Sequence, residues 1–81
     1  MKVIIRNETG LHARPAAMLV KEAGQFDEEV YVVKGGQKYN AKSIMSVMSS
    51  AISCGDEIEI ISENESAVSH LVSFLENLTD Q

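Results

Sequence analysis

The stretch Thr-Gly-Leu-His-Ala-Arg-Pro-Ala, residues 9–16, permits few local folds. Pro15 has no N–H and a fixed φ, so it belongs in the first turn of a helix, where neither property is a disadvantage. Gly10 admits a backbone turn that a side chain would resist. The stretch therefore joins an extended run, Val3-Ile4-Ile5, to a helix beginning near Ala13. His12 falls at or just before the helix start, beside free backbone N–H groups and the positive end of the dipole. Ser, Thr, Asp or Asn would cap such an end better than histidine. The position suits an anion such as a phosphoryl group instead. Arg14 adds a permanent cation whose fork matches phosphate oxygens. Taken alone, a histidine in such a turn is more ordinarily a surface residue than a reactive one.

The rest of the chain alternates strand and helix patterns. Lys2 to Arg6 or Asn7 reads as the first strand, with Val3 and Ile5 on one face and Ile4 on the other. The first helix is expected over about 13–23, with Ala16, Leu19, Val20 and Ala23 as its apolar stripe. Gly24 is its expected stop, and Phe26 is expected to fold back onto the core. Val30-Tyr31-Val32-Val33 is β-branched and aromatic, hence a strand. Gly35-Gly36 signals a hairpin turn, after which Gln37 to Asn40 pairs back. Ile44, Val47, Met48 and Ala51 stand at helical spacing and predict a short helix over 43–53. Gly55 breaks it, and Glu57-Ile58-Glu59-Ile60 alternates as a strand with one wet face. From 64 to about 78, Ala67, Val68, Leu71, Val72, Leu75 and Leu78 form an amphipathic helix. Ser62 and Glu65 stand ahead of it at capping-box spacing. The order βαββαβα predicts a single α+β domain over 1–81, a four-stranded antiparallel sheet covered on one face by three helices.

Composition narrows the functions open to such a domain. Twelve acidic against seven basic residues, net −5, oppose a nucleic-acid surface or a polybasic membrane anchor. The four aromatics, two Tyr and two Phe, count further against RNA. The opening Met-Lys-Val-Ile-Ile-Arg is too short in apolar residues for a signal peptide or a membrane span. Cys54 is the only cysteine, so no internal disulfide or cysteine-based zinc site is available, and a reducing cytoplasm suits the chain. No metal and no cofactor are expected. Cys54 is given no role, and His70, alone on the last helix, reads as a surface residue.

Gly-Leu-His-Ala-Arg-Pro-Ala, residues 10–16, resembles the phosphorylation-site signature of HPr, the histidine-containing phosphocarrier family of the bacterial phosphoenolpyruvate:sugar phosphotransferase system. The predicted element order agrees with that family's open-faced β-sandwich over essentially the whole chain. The resemblance implies that His12 takes a phosphoryl group on Nδ1 from phosphorylated Enzyme I and passes it to the IIA domains of sugar permeases. Arg14 would stabilise the phosphate. The chain would then be a carrier and covalent intermediate, not an enzyme that turns over alone, and it is expected to be a monomer.

A second stretch, Asn-Ala-Lys-Ser-Ile-Met-Ser-Val-Met at 40–48, resembles the family's regulatory serine and the short apolar helix after it. The separation of His12 and Ser43 matches the family spacing. The resemblance implies phosphorylation of Ser43 by an ATP-dependent HPr kinase/phosphorylase, as in Firmicutes, and engagement of a LacI-type catabolite-control repressor. The physical logic is local: a hydroxyl at a helix start caps free N–H groups, and a phosphate there gains from the dipole. The added charge would sit beside Ile44, Met45 and Met48, the expected partner-docking patch, where methionine suits a surface that repacks against several partners. An apolar stripe is otherwise more often core, and a serine at a helix start more often only a cap. Ser46 stands where the family usually has glycine, and Ser50 where it often has an apolar residue, both on or beside that helix.

Three rival readings make different demands. A purely regulatory HPr-like protein would not need His12, and family members of that kind have lost the histidine. A paralogue in a nitrogen-linked phosphorelay would keep it, but the intact Ser43 segment disfavours that branch. A ligand- or RNA-binding module on a similar fold meets the acidic balance described above.

Overall fold

A computed structural model describes residues 1–78; the last positions of the domain expected over 1–81 lie outside the described residues. The elements follow the predicted order: β1 Lys2–Ile4, α1 Ala13–Ala23, β2 Val30–Lys34, β3 Gln37–Asn40, α2 Ile44–Ser49, β4 Glu57–Ser62 and α3 Glu65–Glu76. The sheet order is β1-β4-β2-β3, and every neighbouring pair is antiparallel. Val3 faces Ile58 across β1 and β4, and Val32 faces Ile60 across β2 and β4. The period of two then decides the layers. Val3, Ile5, Val30, Val32, Ile58 and Ile60 are buried, whereas Ile4 and Ile61, in the alternate register, are exposed. The three helices bury Ala16, Leu19 and Ala23 from α1, Val47 from α2, and Ala67, Leu71, Val72 and Leu75 from α3 in the same core.

Where the elements differ from the sequence reading, hydrogen bonding gives the reason. β1 ends at Ile4, not at Arg6 or Asn7, although Ile5 still donates its N–H to the Asp56 carbonyl at 2.9 Å. The chain then turns at Asn7, whose Nδ2 donates to the Gly10 carbonyl at 2.7 Å. β4 extends to Ser62 because it is an inner strand, paired with β1 on one side and β2 on the other. α2 stops at Ser49, short of 53. The Ser50 hydroxyl hydrogen-bonds back to the Val47 carbonyl and Ala51 takes a φ of 53°, which no helix continues through. Gly24 ends α1 as expected, but with a right-handed φ of −66° in place of the left-handed glycine cap. Gly35 and Gly36, at φ 59° and 80°, make the tight β2–β3 turn that needs both glycines.

The capping box expected at Ser62 and Glu65 is replaced by an asparagine cap. Asn64 Oδ1 accepts the Ala67 N–H at 3.2 Å, while the Ser62 hydroxyl accepts the Asn64 N–H, also at 3.2 Å. Asn64→Ala is therefore expected to destabilise the domain by about 1 kcal/mol, whereas Ser62→Ala should cost less. Urea denaturation of the two variants checks the order.

Candidate functional site

His12 is the N-cap residue of α1, with extended backbone (φ −77°, ψ −166°). Its carbonyl accepts the Ala16 N–H at 2.8 Å, but its imidazole makes no capping hydrogen bond to the helix. The ring is therefore exposed at the helix start and uncommitted to it. Arg14, also exposed, lies in the same first turn, as does the buried Pro15, whose fixed φ and missing N–H suit that turn.

The loop that presents His12 rests on a second element. The buried Leu11 donates its N–H to the Ile52 carbonyl at 3.0 Å. Gly10, at φ 62°, approaches so closely that a Cβ would lie 2.4 Å from the Ile52 oxygen and 2.7 Å from Ser53 Cα. The turn that follows α2 is thus the seat of the loop before α1. A shallow pocket records the meeting, lined by Leu11, His12, Met48, Ala51, Ile52 and Ser53.

Ser43 caps α2 as the sequence predicts: its Oγ accepts the Ser46 N–H at 3.2 Å. Ser46 uses its own hydroxyl to accept the Asn40 N–H at 2.9 Å, tying α2 to the end of β3. Ser50, the other departure from the family pattern, is buried and satisfied by its bond to Val47. The apolar pattern of α2 splits between two faces. Val47 enters the core, whereas Ile44, Met45 and Met48 are 39 %, 76 % and 43 % exposed. Met18, on α1, is a further exposed apolar side chain that the sequence reading passed over, since it lies off the α1 stripe.

Lys34 and Asp56 form a cluster that the sequence reading missed entirely. Lys34 Nζ donates to the Ala51 carbonyl at 2.8 Å and approaches Asp56 Oδ2 at 3.1 Å. Asp56 Oδ2 also accepts the Ser53 N–H at 2.8 Å. That bond first, and Lys34 second, hold the Asp56 carboxyl below the usual aspartate range. A folded value below the unfolded one makes the carboxylate stabilising above the ordinary aspartate value, and the contribution fades as pH falls through the lowered folded value. Asp56→Asn is accordingly expected to lower the urea midpoint at pH 7, with the gap to the parent closing in acid below about pH 3.9.

The remaining titratable and sulfur groups are simpler. His70 is not isolated: Nε2 meets Glu22 Oε1 at 2.6 Å, joining α3 to α1, and its ring lies 5.6 Å from that of Phe26, which packs on the core as expected. Cys54 is an exposed free thiol. Among the described residues no group of three or more His, Cys, Asp or Glu side chains is placed to hold a metal ion. No helix among them is long and apolar enough to cross a membrane.

Comparison with known proteins points to one family. A family described as PTS HPr component phosphorylation site matches residues 1–77. The HPr-like protein Crh of Bacillus subtilis is 52 % identical over 64 residues, covering 79 % of this chain and 75 % of Crh. The phosphocarrier protein HPr of Treponema pallidum is 44 % identical over 69 residues, covering 85 % and 78 %. Among solved structures, HPr from Thermoanaerobacter tengcongensis superposes with a TM-score of 0.89 at 42 % identity, covering 94 % of this chain and 89 % of that one. The expectation of a monomer does not survive the same comparison. Crh of Bacillus subtilis, solved as a domain-swapped dimer, matches with a TM-score of 0.78 at 42 % identity, covering 100 % of this chain and 97 % of that one.

Proposed function

Since this chain belongs to the HPr family, we propose that it is a phosphocarrier: His12 accepts a phosphoryl group from phosphorylated Enzyme I and passes it to IIA domains of sugar permeases. The observation that carries this reading is the exposed His12 ring at the α1 start, uncommitted to capping and seated by the Leu11–Ile52 hydrogen bond. In the transfer, an Nδ1–P bond forms as the donor–P bond breaks, so the chain is a covalent intermediate and performs no net reaction of its own. Arg14 and the N–H groups of the first turn supply the positive field for the phosphoryl oxygens. The direct test offers phosphorylated chain to a IIA domain. The carrier reading expects the label to leave the chain and appear on the IIA domain; a label that stays put contradicts it.

The similarity to Crh supports a regulatory role beside the relay. In that role Ser43 is the substrate of an HPr kinase/phosphorylase, and the phosphorylated form engages a LacI-type repressor through new charge on an otherwise unchanged surface. The work is cytoplasmic, where these partners act, and the dimeric relatives make a second copy of the chain a further candidate partner. Ile44, Met45 and Met48 form the surface that docks Enzyme I, because they are apolar and exposed on the helix that Ser43 caps, and Met48 lines a pocket with His12. A phosphate on Ser43 would have to be desolvated at that interface. Phosphorylation is thus expected to weaken Enzyme I binding by tenfold or more, about 1.4 kcal/mol, in titration calorimetry. Equal affinities of the two forms would end this account of the docking patch.

A further inference from the structure

Lys34 closes β2 just before the Gly35-Gly36 turn, and its side chain reaches across to the end of α2. Its ammonium has three N–H donors, and the structure sets three acceptors around it: the Ala51 carbonyl at 2.8 Å, the Ser50 carbonyl at 3.3 Å and Asp56 Oδ2 at 3.1 Å. The Ser50 carbonyl is that of the α2 C-cap and the Ala51 carbonyl lies one residue beyond it, so the ammonium ties the exit of the helix to the end of β2. Asp56 grips the other end of the same turn through the Ser53 N–H at 2.8 Å. Between them Ala51 is held at a φ of 53°, a conformation that an alanine rarely adopts unaided.

This turn is the surface on which the His12 loop sits. Leu11 hydrogen-bonds to Ile52 within it, and Gly10 packs against its backbone with no room for a Cβ. His12 is the next residue. We propose that Lys34 is a positioning residue for His12: with Asp56 it fixes the 50–53 turn, which sets the register of Gly10-Leu11 and so the placement of the imidazole at the α1 start. Where it concerns transfer, the inference rests on the phosphocarrier reading above. A reacting group displaced by a fraction of its length loses rate without losing affinity.

The test compares the full chain with Lys34→Met, which keeps the stem and removes the donors, and Lys34→Arg, which restores a cation. In Lys34→Met, amide exchange at Leu11 is expected to quicken about tenfold relative to core amides such as Val32, and the His12 ring nitrogens to shift in ¹⁵N NMR. Phosphorylation by Enzyme I and phosphoenolpyruvate should show kcat down about tenfold with KM unchanged, because Ile44, Met45 and Met48 are untouched. Lys34→Arg should return all three readouts toward the parent. A folded Lys34→Met with parent-like Leu11 exchange and His12 ring signals overturns the proposal whatever the labelling shows. A parent chain that takes no phosphoryl group overturns the phosphocarrier reading instead, and the exchange and ring signals then decide the positioning role by themselves. If Lys34→Met fails to fold, Asp56→Asn, which weakens the Ser53 grip and the ion pair with Lys34 but leaves the Lys34 bonds to the Ser50 and Ala51 carbonyls, is read by the same criteria.

Discussion

His12→Ala is expected to abolish phosphorylation by Enzyme I and phosphoenolpyruvate while leaving the thermal midpoint within a few degrees of the parent. The reason for the first half is chemical. No other side chain in the 9–16 stretch offers a neutral nitrogen nucleophile, and His70, the second histidine, is engaged with Glu22 at 2.6 Å. The reason for the second half is structural. The His12 ring is exposed and caps nothing, and the helix is entered through its carbonyl, which alanine keeps. An exposed side chain without partners of that kind changes stability by about 0.5 kcal/mol or less. The two measurements are a labelling assay and a melting curve on the same preparation. Label retained in His12→Ala would move the acceptor elsewhere. Lost label accompanied by a collapsed midpoint would show only that the residue is needed for folding.

Gly10→Ala is expected to be among the most destabilising single-methyl changes in the chain, and Gly35→Ala is its matched control. The two glycines have nearly the same backbone, φ 62° and 59°, so an added Cβ meets the same conformational penalty of about 1 kcal/mol at each. Their surroundings differ. Nothing lies within 4 Å of a Cβ at Gly35, whereas at Gly10 it would stand 2.4 Å from the Ile52 oxygen and 2.7 Å from Ser53 Cα, both backbone atoms. Backbone cannot swing aside as a flexible side chain can, so the Leu11–Ile52 bond must open or the α2 turn must shift. The loss at Gly10 is expected to be about 3 kcal/mol against about 1 at Gly35, some 12 °C or more against about 5 °C in a domain of this size. Labelling of His12 should fall in Gly10→Ala even well below its midpoint, because the loop that presents the ring no longer rests on its seat. Equal destabilisation of the two variants would show that the close approach has no energetic weight.

What the sequence discloses, and what it does not, follows the range of the interactions involved. Pro15, Gly10 and the Ala16-Leu19-Ala23 stripe act within one or two turns, so the α1 boundaries at Ala13 and Ala23 are readable and match. The same holds for the Gly35-Gly36 turn and the Ser43 cap. The length of α2 is not readable, because Ala51 is a good helix former that stands at φ 53° in the fold, with its carbonyl bonded to the distant Lys34. Asn64 displaces Ser62 as the α3 cap for a similar reason: both are capping residues, and only the end of β4 decides which one reaches the helix. The placement of His12 and Arg14 on one helix start is local and legible. The seat beneath them is not, since Leu11 and Ile52, or Lys34 and Asp56, are brought together only by the folded sheet. Nor does one copy's sequence disclose how copies associate, and the expectation of a monomer fails against the dimeric Crh structure.

The central claim is that this chain carries phosphate on His12. It is tested most directly by incubating the purified protein with Enzyme I and radiolabelled phosphoenolpyruvate, then mapping the label by peptide and following its lability. The account predicts one phosphate per chain, lost in mild acid, stable in base and confined to the peptide that holds His12, as a phosphoramidate at an imidazole nitrogen must be. An acid-stable phosphate on a serine peptide, or no label while a known HPr in the same tube is fully charged, would contradict it.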